Sequence, residues 1–344
     1  MNATDEASPR GGVRLGYLLE RARRLRAGNL VEFARQARQV TRKPIPLIIA
    51  DMLWCSVRYE MGFRDYAVWD IATLRGRDRA TWMTHPKSHR INATRNDPAG
   101  REIFQDKRRF YDRFGDLLGR EWLDVNTAND AALAAFLGRH RQIMVKPADG
   151  VGGGGVERVD VPAGTDPAAL RERLTASGQT LLEEVLVQHE ALAALYPGSV
   201  NTVRVITFLG EDDRLHLLAA VLRVGNGAAI DNFASGGMYT LLGDDGVAQY
   251  AAVDKHGGVY TQHPSTGVDI VGLAVPHFDR VLALVEDAAR RVPEVPYVGW
   301  DIAVTAEGAA LIEGNHNSSV FQTRPTVSGV TTGLLPVYRA AIGF

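Results

Sequence analysis

The sequence predicts an α+β chain: two lobes of mixed helix and strand, preceded by a mainly helical N-terminal segment. Three observations carry this reading. Apolar residues recur at helical spacing through roughly the first hundred positions, a glycine-rich loop joins two strand-like runs, and a hairpin with alternating arms lies near the C-terminus. With 344 residues the chain can bury a sizeable core and divide into two or three lobes. Its 45% hydrophobic and 23% charged content is that of an ordinary globular protein. A net charge of -1, from 39 basic and 40 acidic residues, argues against a general polyanion binder, so no nucleic-acid partner is expected.

In the N-terminal part, Leu15, Leu18, Leu19, Ala22 and Leu25 precede Gly28, and Leu30, Phe33, Ala34, Ala37 and Val40 repeat the pattern after it. Two amphipathic helices follow from this spacing, and a third is expected over 46–60. From Met1 to Pro44 ten basic residues face four acidic ones, read first as a solvated helix face and second as contact with an anionic surface or partner. The single cysteine, Cys55, excludes an intrachain disulfide and, beside Trp54 and Met52, reads as a packed core thiol. No signal-peptide pattern opens the chain, so a cytoplasmic location is expected. The longest apolar run, Ile45 to Val57, contains Asp51 and is too short to span a bilayer, so no membrane span is expected.

The Asn, Pro and Gly cluster between Asn92 and Gly100 is the expected boundary. It gives a helical domain over 1–104, a small lobe over 105–180 and a C-terminal lobe over 181–344. In the small lobe, helices are expected over 130–138 and 166–176, the second opened by an Asp-Pro start signal. A long amphipathic helix is expected after Pro276, with Phe278, Val281, Leu282 and Val285 on one side.

Between the small-lobe helices, Ile143 to Pro147 reads as a strand that runs into Ala148–Gly155, where five of eight residues are glycine. Such a run lets backbone N–H groups approach an anion and tolerates positive φ. Val156, Val159 and Val161 then read as a second strand, where a Walker A or Rossmann turn would require a helix. The result is a β-loop-β flap with Lys146 on its first strand, placed to reach phosphate. A mobile hairpin with an exposed lysine is the alternative.

In the C-terminal hairpin, Trp300–Thr305 and Ala309–Asn315 flank the loop Ala306–Gly308. With that loop, Asp301 faces Glu313 and Asn315 follows on the same side. Directly opposed carboxylates repel, and a hard divalent cation such as Mg2+ removes that cost; a solvated acidic face is the alternative.

A lysine on a strand, a glycine flap and a distant Asp, Glu, Asn set on a hairpin, in this order, resemble the ATP-grasp superfamily. Within it, the chain resembles the sugar-transfer-associated group, through Asp106–Tyr111, Val145–Pro147, Asn201–Arg204, Asp231–Phe233 with Gly236 and Gly237, Gly299–Asp301 and Glu313–Asn315. The resemblance runs from Gln105 to the C-terminus. It implies the ATP-grasp fold, with ATP between two α+β lobes, Lys107 and Lys146 on phosphate or purine, and the flap glycines Gly152, Gly153, Gly154 and Gly155 over the phosphates. It implies adenine held by Glu183 or Glu184, the adjacent glutamates fitting equally well, and by the backbone near Leu186, with Glu190 on the ribose. It implies Mg2+ on Asp301, Glu313 and Asn315. It also implies Arg204 and Arg223 facing the transferred phosphate, which Asn232 orients; a rigid guanidinium fork suits charge spread over phosphoryl oxygens.

The function this implies is an ATP-dependent ligase that activates a small-molecule carboxylate as an acyl phosphate and couples it to an amine or similar nucleophile. Two alternatives stand beside it: a kinase acting on a sugar or small-metabolite hydroxyl, and a non-catalytic nucleotide-binding partner in polysaccharide assembly. Two features depart from the family pattern: the basic helical segment stands where a nucleotide-like first domain is expected, and His316, Asn317, Ser318 and Ser319 follow Asn315, with Arg324 nearby. These polar residues, together with the stretch holding Lys255, His256 and His263, are candidates for an acceptor pocket or substrate loop. The sequence gives no oligomeric state.

Overall fold

Strand-forming runs of β-branched and aromatic residues are concentrated after residue 200, and there they build the larger of two sheets. The computed structural model describes residues 27–149, 154–227, 231, 233 and 236–343. The chain divides into two compact units, Met1–Leu74 and Arg75–Phe344. The first contains the helices Ala27–Arg38, Ile45–Tyr59 and Phe63–Val68, which account for two of the three expected N-terminal helices; the one placed over 15–25 lies outside the described residues. Cys55 is buried with Ile48 and Met52 on the inner side of its helix, as a packed thiol should be.

The second unit holds both sheets. A four-stranded antiparallel sheet has the order β1 (Trp122–Asp124), β4 (Leu181–Glu184), β2 (Gln142–Lys146), β3 (Glu157–Asp160). Alternation along these strands sends Ile143, Val145 and Leu182 into a core with Leu133, Phe136, Leu170 and Leu174 from the helices Asp130–Arg139 and Pro167–Ser177. Asp166 caps the second helix by accepting from the Ala168 N–H at 2.9 Å. Met144, Lys146, Leu181 and Glu183 are left on the opposite face.

The seven-stranded antiparallel sheet has the order β11 (Ala309–Asn315), β10 (Tyr297–Val304), β5 (Thr202–Leu209), β6 (Leu215–Val224), β7 (Met238–Leu241), β8 (Ala252–Asp254), β9 (Val259–Tyr260). Val298, Trp300, Ile302 and Val304 of β10 enter one core with Phe278, Val281, Val285 and Ala288 of the helix Phe278–Arg290. The expected helix after Pro276 therefore covers this face. Tyr297, Gly299 and Asp301 lie on the other face, where the helix His85–Arg95 packs against β10.

The Asn-rich stretch expected as a boundary is not a linker. Asn92 and Asn96 are buried, and the Asn96 side chain accepts from the Tyr297 N–H at 2.9 Å while donating to the Tyr297 carbonyl at 2.8 Å. Residues 75–104 consequently belong to the same compact unit as both sheets. The small sheet likewise takes in β4, beyond the division expected at 180. Among the described residues no helix is long and apolar enough to cross a membrane.

Asn96→Ala leaves two backbone groups of a buried strand without partners. It should destabilise the fold by about 2–4 kcal/mol in urea unfolding, from two unmet groups at roughly 1–2 kcal/mol each. A change below about 0.5 kcal/mol would contradict the role given to this side chain.

Candidate functional site

The hairpin register places Asp301 opposite Glu313 and Gly299 opposite Asn315, as its alternation requires. The turn differs from the expectation. Val304 pairs with Ala309, so Thr305–Gly308 form a four-residue connection, and an irregularity between Asp301 and Ile302 restores the pairing of the acidic residues. Asp301 also pairs with Arg204 on β5, and Arg223 on β6 pairs with Thr202, so three strands bring these charges to one face.

There Asp301 is buried and held by two guanidinium groups. Arg204 grips it as a fork, donating from Nε to one oxygen and from Nη2 to the other at 2.6 Å; Arg223 Nη1 donates to that second oxygen at 2.9 Å. Burial alone would raise the Asp301 carboxyl, but Arg204 and Arg223 hold it far below the usual carboxylate range. Arg223 reaches a second buried acid, Asp231, at 3.0 Å, and Asp231 accepts from the Thr202 N–H at 2.9 Å and from its hydroxyl. Gly299 makes room for this: a Cβ there would lie 2.3 Å from Ser318 Oγ and 3.2 Å from Arg204 Cδ.

Glu313 stands beside this cluster, open to solvent but walled by protein on its other sides, and Asn315 Nδ2 donates to it at 3.3 Å. Desolvation, then the charge of Asp301, push its carboxyl above the ordinary range. Asp301 has most of its acceptor capacity committed to arginine. The less committed oxygens are therefore those of Glu313 and of the Asn315 amide. Among the described residues no three His, Cys, Asp or Glu side chains gather to hold a metal. Hard oxygen donors around a repelled carboxylate fit Mg2+.

Across from this face, the small sheet presents Lys146 and Glu183, both buried. Glu183 accepts from Lys146 Nζ at 2.6 Å, from Arg120 Nη2 at 3.0 Å and from the Tyr111 hydroxyl. Burial raises the Glu183 carboxyl, but Arg120 and Lys146 overcome it and bring it to about 2. Burial pushes the Lys146 ammonium down, against the pull of Glu183. Arg120 also donates to the Leu311 carbonyl of β11 at 2.8 Å, so this one side chain ties the two sheets together.

Lys107 opens the helix Lys107–Phe114, and its N–H donates to the Ala148 carbonyl at the base of the glycine loop at 3.1 Å. Desolvation lowers its ammonium, while Glu313 of the large sheet and Glu183 of the small sheet both act to raise it. β2 and β3 pair antiparallel around the loop, with Val145 opposite Glu157, which is a β-loop-β flap. Gly154 and Gly155 stand at its described edge; Gly152 and Gly153 lie outside the described residues, as does Asn232.

Glu184 accepts from the Glu121 N–H at 3.1 Å, Leu186 lies in the extended stretch after β4, and Glu190 is exposed at the start of the helix Glu190–Leu195. Of the polar residues after Asn315, His316 and Ser318 are built into the structure, while Asn317 and Ser319 are exposed. His316 Nδ1 shares a hydrogen bond with Asn92 at 3.1 Å, and Ser318 is buried. His263 is buried too, stacked on Tyr196 and bonded to the Gly225 carbonyl at 2.9 Å. Arg324 donates to the Gly257 carbonyl at 2.9 Å and so meets the loop that carries Lys255 and exposed His256.

Residues 169–331 match the family model described as sugar-transfer associated ATP-grasp. That span, a little under half of the chain, resembles the ATP-grasp superfamily. The matched span holds Glu183, Glu184, Leu186, Glu190, both arginines and the hairpin acids; Lys107, Lys146 and the glycine flap precede it. Two solved structures are similar to this chain at low identity. The ATP-grasp ligase PsnB complexed with minimal precursor is 17% identical, over 78% of this chain and 70% of that one, at a TM-score of 0.43. A D-alanine--D-alanine ligase from Bacillus anthracis is 12% identical, over 74% of each chain, at 0.40. Likeness at that level is silent on substrate. No curated protein matches the chain.

Arg120, Tyr111 and Asp231 are the site residues to which the sequence assigned no role. Tyr111 and Asp231 sit inside the motifs that carry the resemblance, which was the available signal. Arg120 is a lone arginine before a short strand, and nothing local marks it.

Because the folded-state Glu183 carboxyl lies at about 2 against an ordinary 4.5, its contribution is complete above pH 4.5 and lost as pH falls toward 2. Glu183→Gln should therefore destabilise the fold by about 3 kcal/mol at pH 7, with the difference from the parent closing across that acid window. A pH-independent difference in chemical unfolding would contradict the ion-pair account.

Proposed function

We propose that this chain is an ATP-dependent ligase that makes an acyl phosphate from a substrate carboxylate and passes it to an amine or similar nucleophile. The observation carrying this reading is the pairing of Arg204 and Arg223 on Asp301, with Glu313 and Asn315 alongside. Such a site holds a polyphosphate by positioning and charge neutralisation, which is what phosphoryl transfer requires of a protein.

Lys146, kept in place by Glu183, and Lys107 hold phosphate oxygens, and the flap from Gly152 to Gly155 lies over them. The backbone at Leu186 and the Glu183/Glu184 strand end face adenine, with Glu190 on the ribose. Of the two glutamates, Glu184 is the better adenine partner, because Glu183 is committed to Lys146, Arg120 and Tyr111. Glu313 and Asn315, beside the arginine-held Asp301, would hold Mg2+, which would supply positive charge to the nucleotide phosphates. Arg223 and Arg204 present guanidinium to the transferred γ-phosphoryl group, and Asn232 orients it. A substrate carboxylate oxygen attacks the γ-phosphorus, ADP leaves, and the nucleophile then displaces inorganic phosphate from the acyl carbon.

The reading is tested by screening paired acids and amines for ADP and phosphate, with mass spectrometry of the product. Phosphate released only when both partners are present supports a ligase; a phosphorylated hydroxyl would identify a kinase, and no ATP turnover across the panel a binding module. Glu313→Gln should lower kcat by about 100-fold or more while leaving thermal unfolding unchanged, as loss of one charge-neutralising group predicts. Near-normal turnover would remove Glu313 from the metal site. Lys146→Ala should weaken ATP binding by about tenfold or more in calorimetry, the scale of one charged hydrogen bond. Unaltered affinity would exclude Lys146 from nucleotide contact.

A further inference from the structure

The helix Ile45–Tyr59 is apolar on both sides, which the catalytic reading does not use. Its inner side, Ile48, Met52 and Cys55, is buried in the first compact unit. Its outer side exposes Leu47 at 59%, Leu53 at 46%, Trp54 at 60% and Val57 at 63%. At 100° per residue, Leu47, Leu53, Trp54 and Val57 fall within one arc about 120° wide, together with exposed Pro46 and Ala50. The one acid near that arc, Asp51, is paired with Lys43 at 3.6 Å and accepts from the Tyr66 hydroxyl at 2.7 Å. Three turns of helix therefore present an apolar stripe with a tryptophan at its centre.

The charges around the stripe are mostly basic, the preceding helix carrying one exposed acid, Glu32. Arg35, Arg38, Arg42 and Lys43 are exposed on the preceding helix and connection, and exposed Arg58 borders the stripe near its other end. Upstream, residues 1–26 add six arginines against three acids. An apolar helical face with Trp and Leu, flanked by arginine and lysine, matches a surface whose interior is hydrocarbon and whose rim is anionic. A protein partner would need an apolar groove with an acidic border; an anionic bilayer supplies both properties at once. The helix is too short to cross a membrane, so it would lie along it.

We infer that the helix Ile45–Tyr59 docks the protein peripherally on an anionic lipid surface, with Leu47, Leu53, Trp54 and Val57 in the acyl boundary and the neighbouring basic residues on headgroups. The inference is independent of the ligase reading, since none of its residues belongs to the nucleotide cleft.

The test is co-sedimentation of the full chain with vesicles of phosphatidylcholine containing about 30% phosphatidylserine, and with phosphatidylcholine alone, the anionic lipid setting the headgroup attraction. The expected result is binding to the anionic vesicles that falls at least tenfold in 0.5 M salt and at least tenfold in Trp54→Glu and, separately, Leu47→Glu. Both positions are exposed, so thermal unfolding and ATP binding should match the parent. Failure of the parent chain to sediment with anionic vesicles, or equal sedimentation of both variants, overturns the proposal. A dimer by light scattering that Trp54→Glu dissociates, without vesicle binding, would instead assign the face to a second copy of the chain.

Discussion

A carboxylate without water must find its counter-charge inside the protein, and Asp301 finds it in two arginines from neighbouring strands. This requirement fixes much around it. It aligns β10, β5 and β6 so that residues 301, 204 and 223 meet, and it makes Gly299 necessary, because any side chain there would strike Ser318 and crowd Arg204. It also leaves Asp231 with a purpose, since Arg223 needs a second acid and Asp231 in turn secures the start of β5 through Thr202. Breaking one member of such a buried set strands the others, so the group stands or falls as a unit.

The same cluster sets the chemistry available. With Asp301 occupied, the open negative charge at the hairpin is Glu313, whose carboxyl is raised by desolvation and by its neighbour. An approaching cation would relieve that repulsion, and an approaching polyphosphate would compete with Asp301 for the two guanidinium groups. The arginines are thus already held in orientations set by the fold.

The large features were legible in the sequence because each had a local physical signature. Period-two alternation gave the hairpin and its facing acids; the glycine run followed by valines at alternate positions gave a flap rather than a helix; an Asp-Pro pair gave a helix start. The extra residue in the hairpin turn was not legible, since the irregularity near Asp301 compensates for it and leaves the acid pairing unchanged. The role of Asn92 and Asn96 was misleading for a physical reason. Asn is a turn residue by propensity, and only the distant Tyr297 backbone reveals that Asn96 is a buried hydrogen-bonding side chain. Glu183 shows the same limit: its partners Tyr111, Arg120 and Lys146 come from separate elements, so no spacing in the chain could announce them.

Arg120 has a wider consequence. One guanidinium joins a strand carbonyl of the large sheet to a buried acid of the small sheet. Rocking the two sheets apart would pull a charged group out of both attachments, so this one buried side chain resists any widening between them.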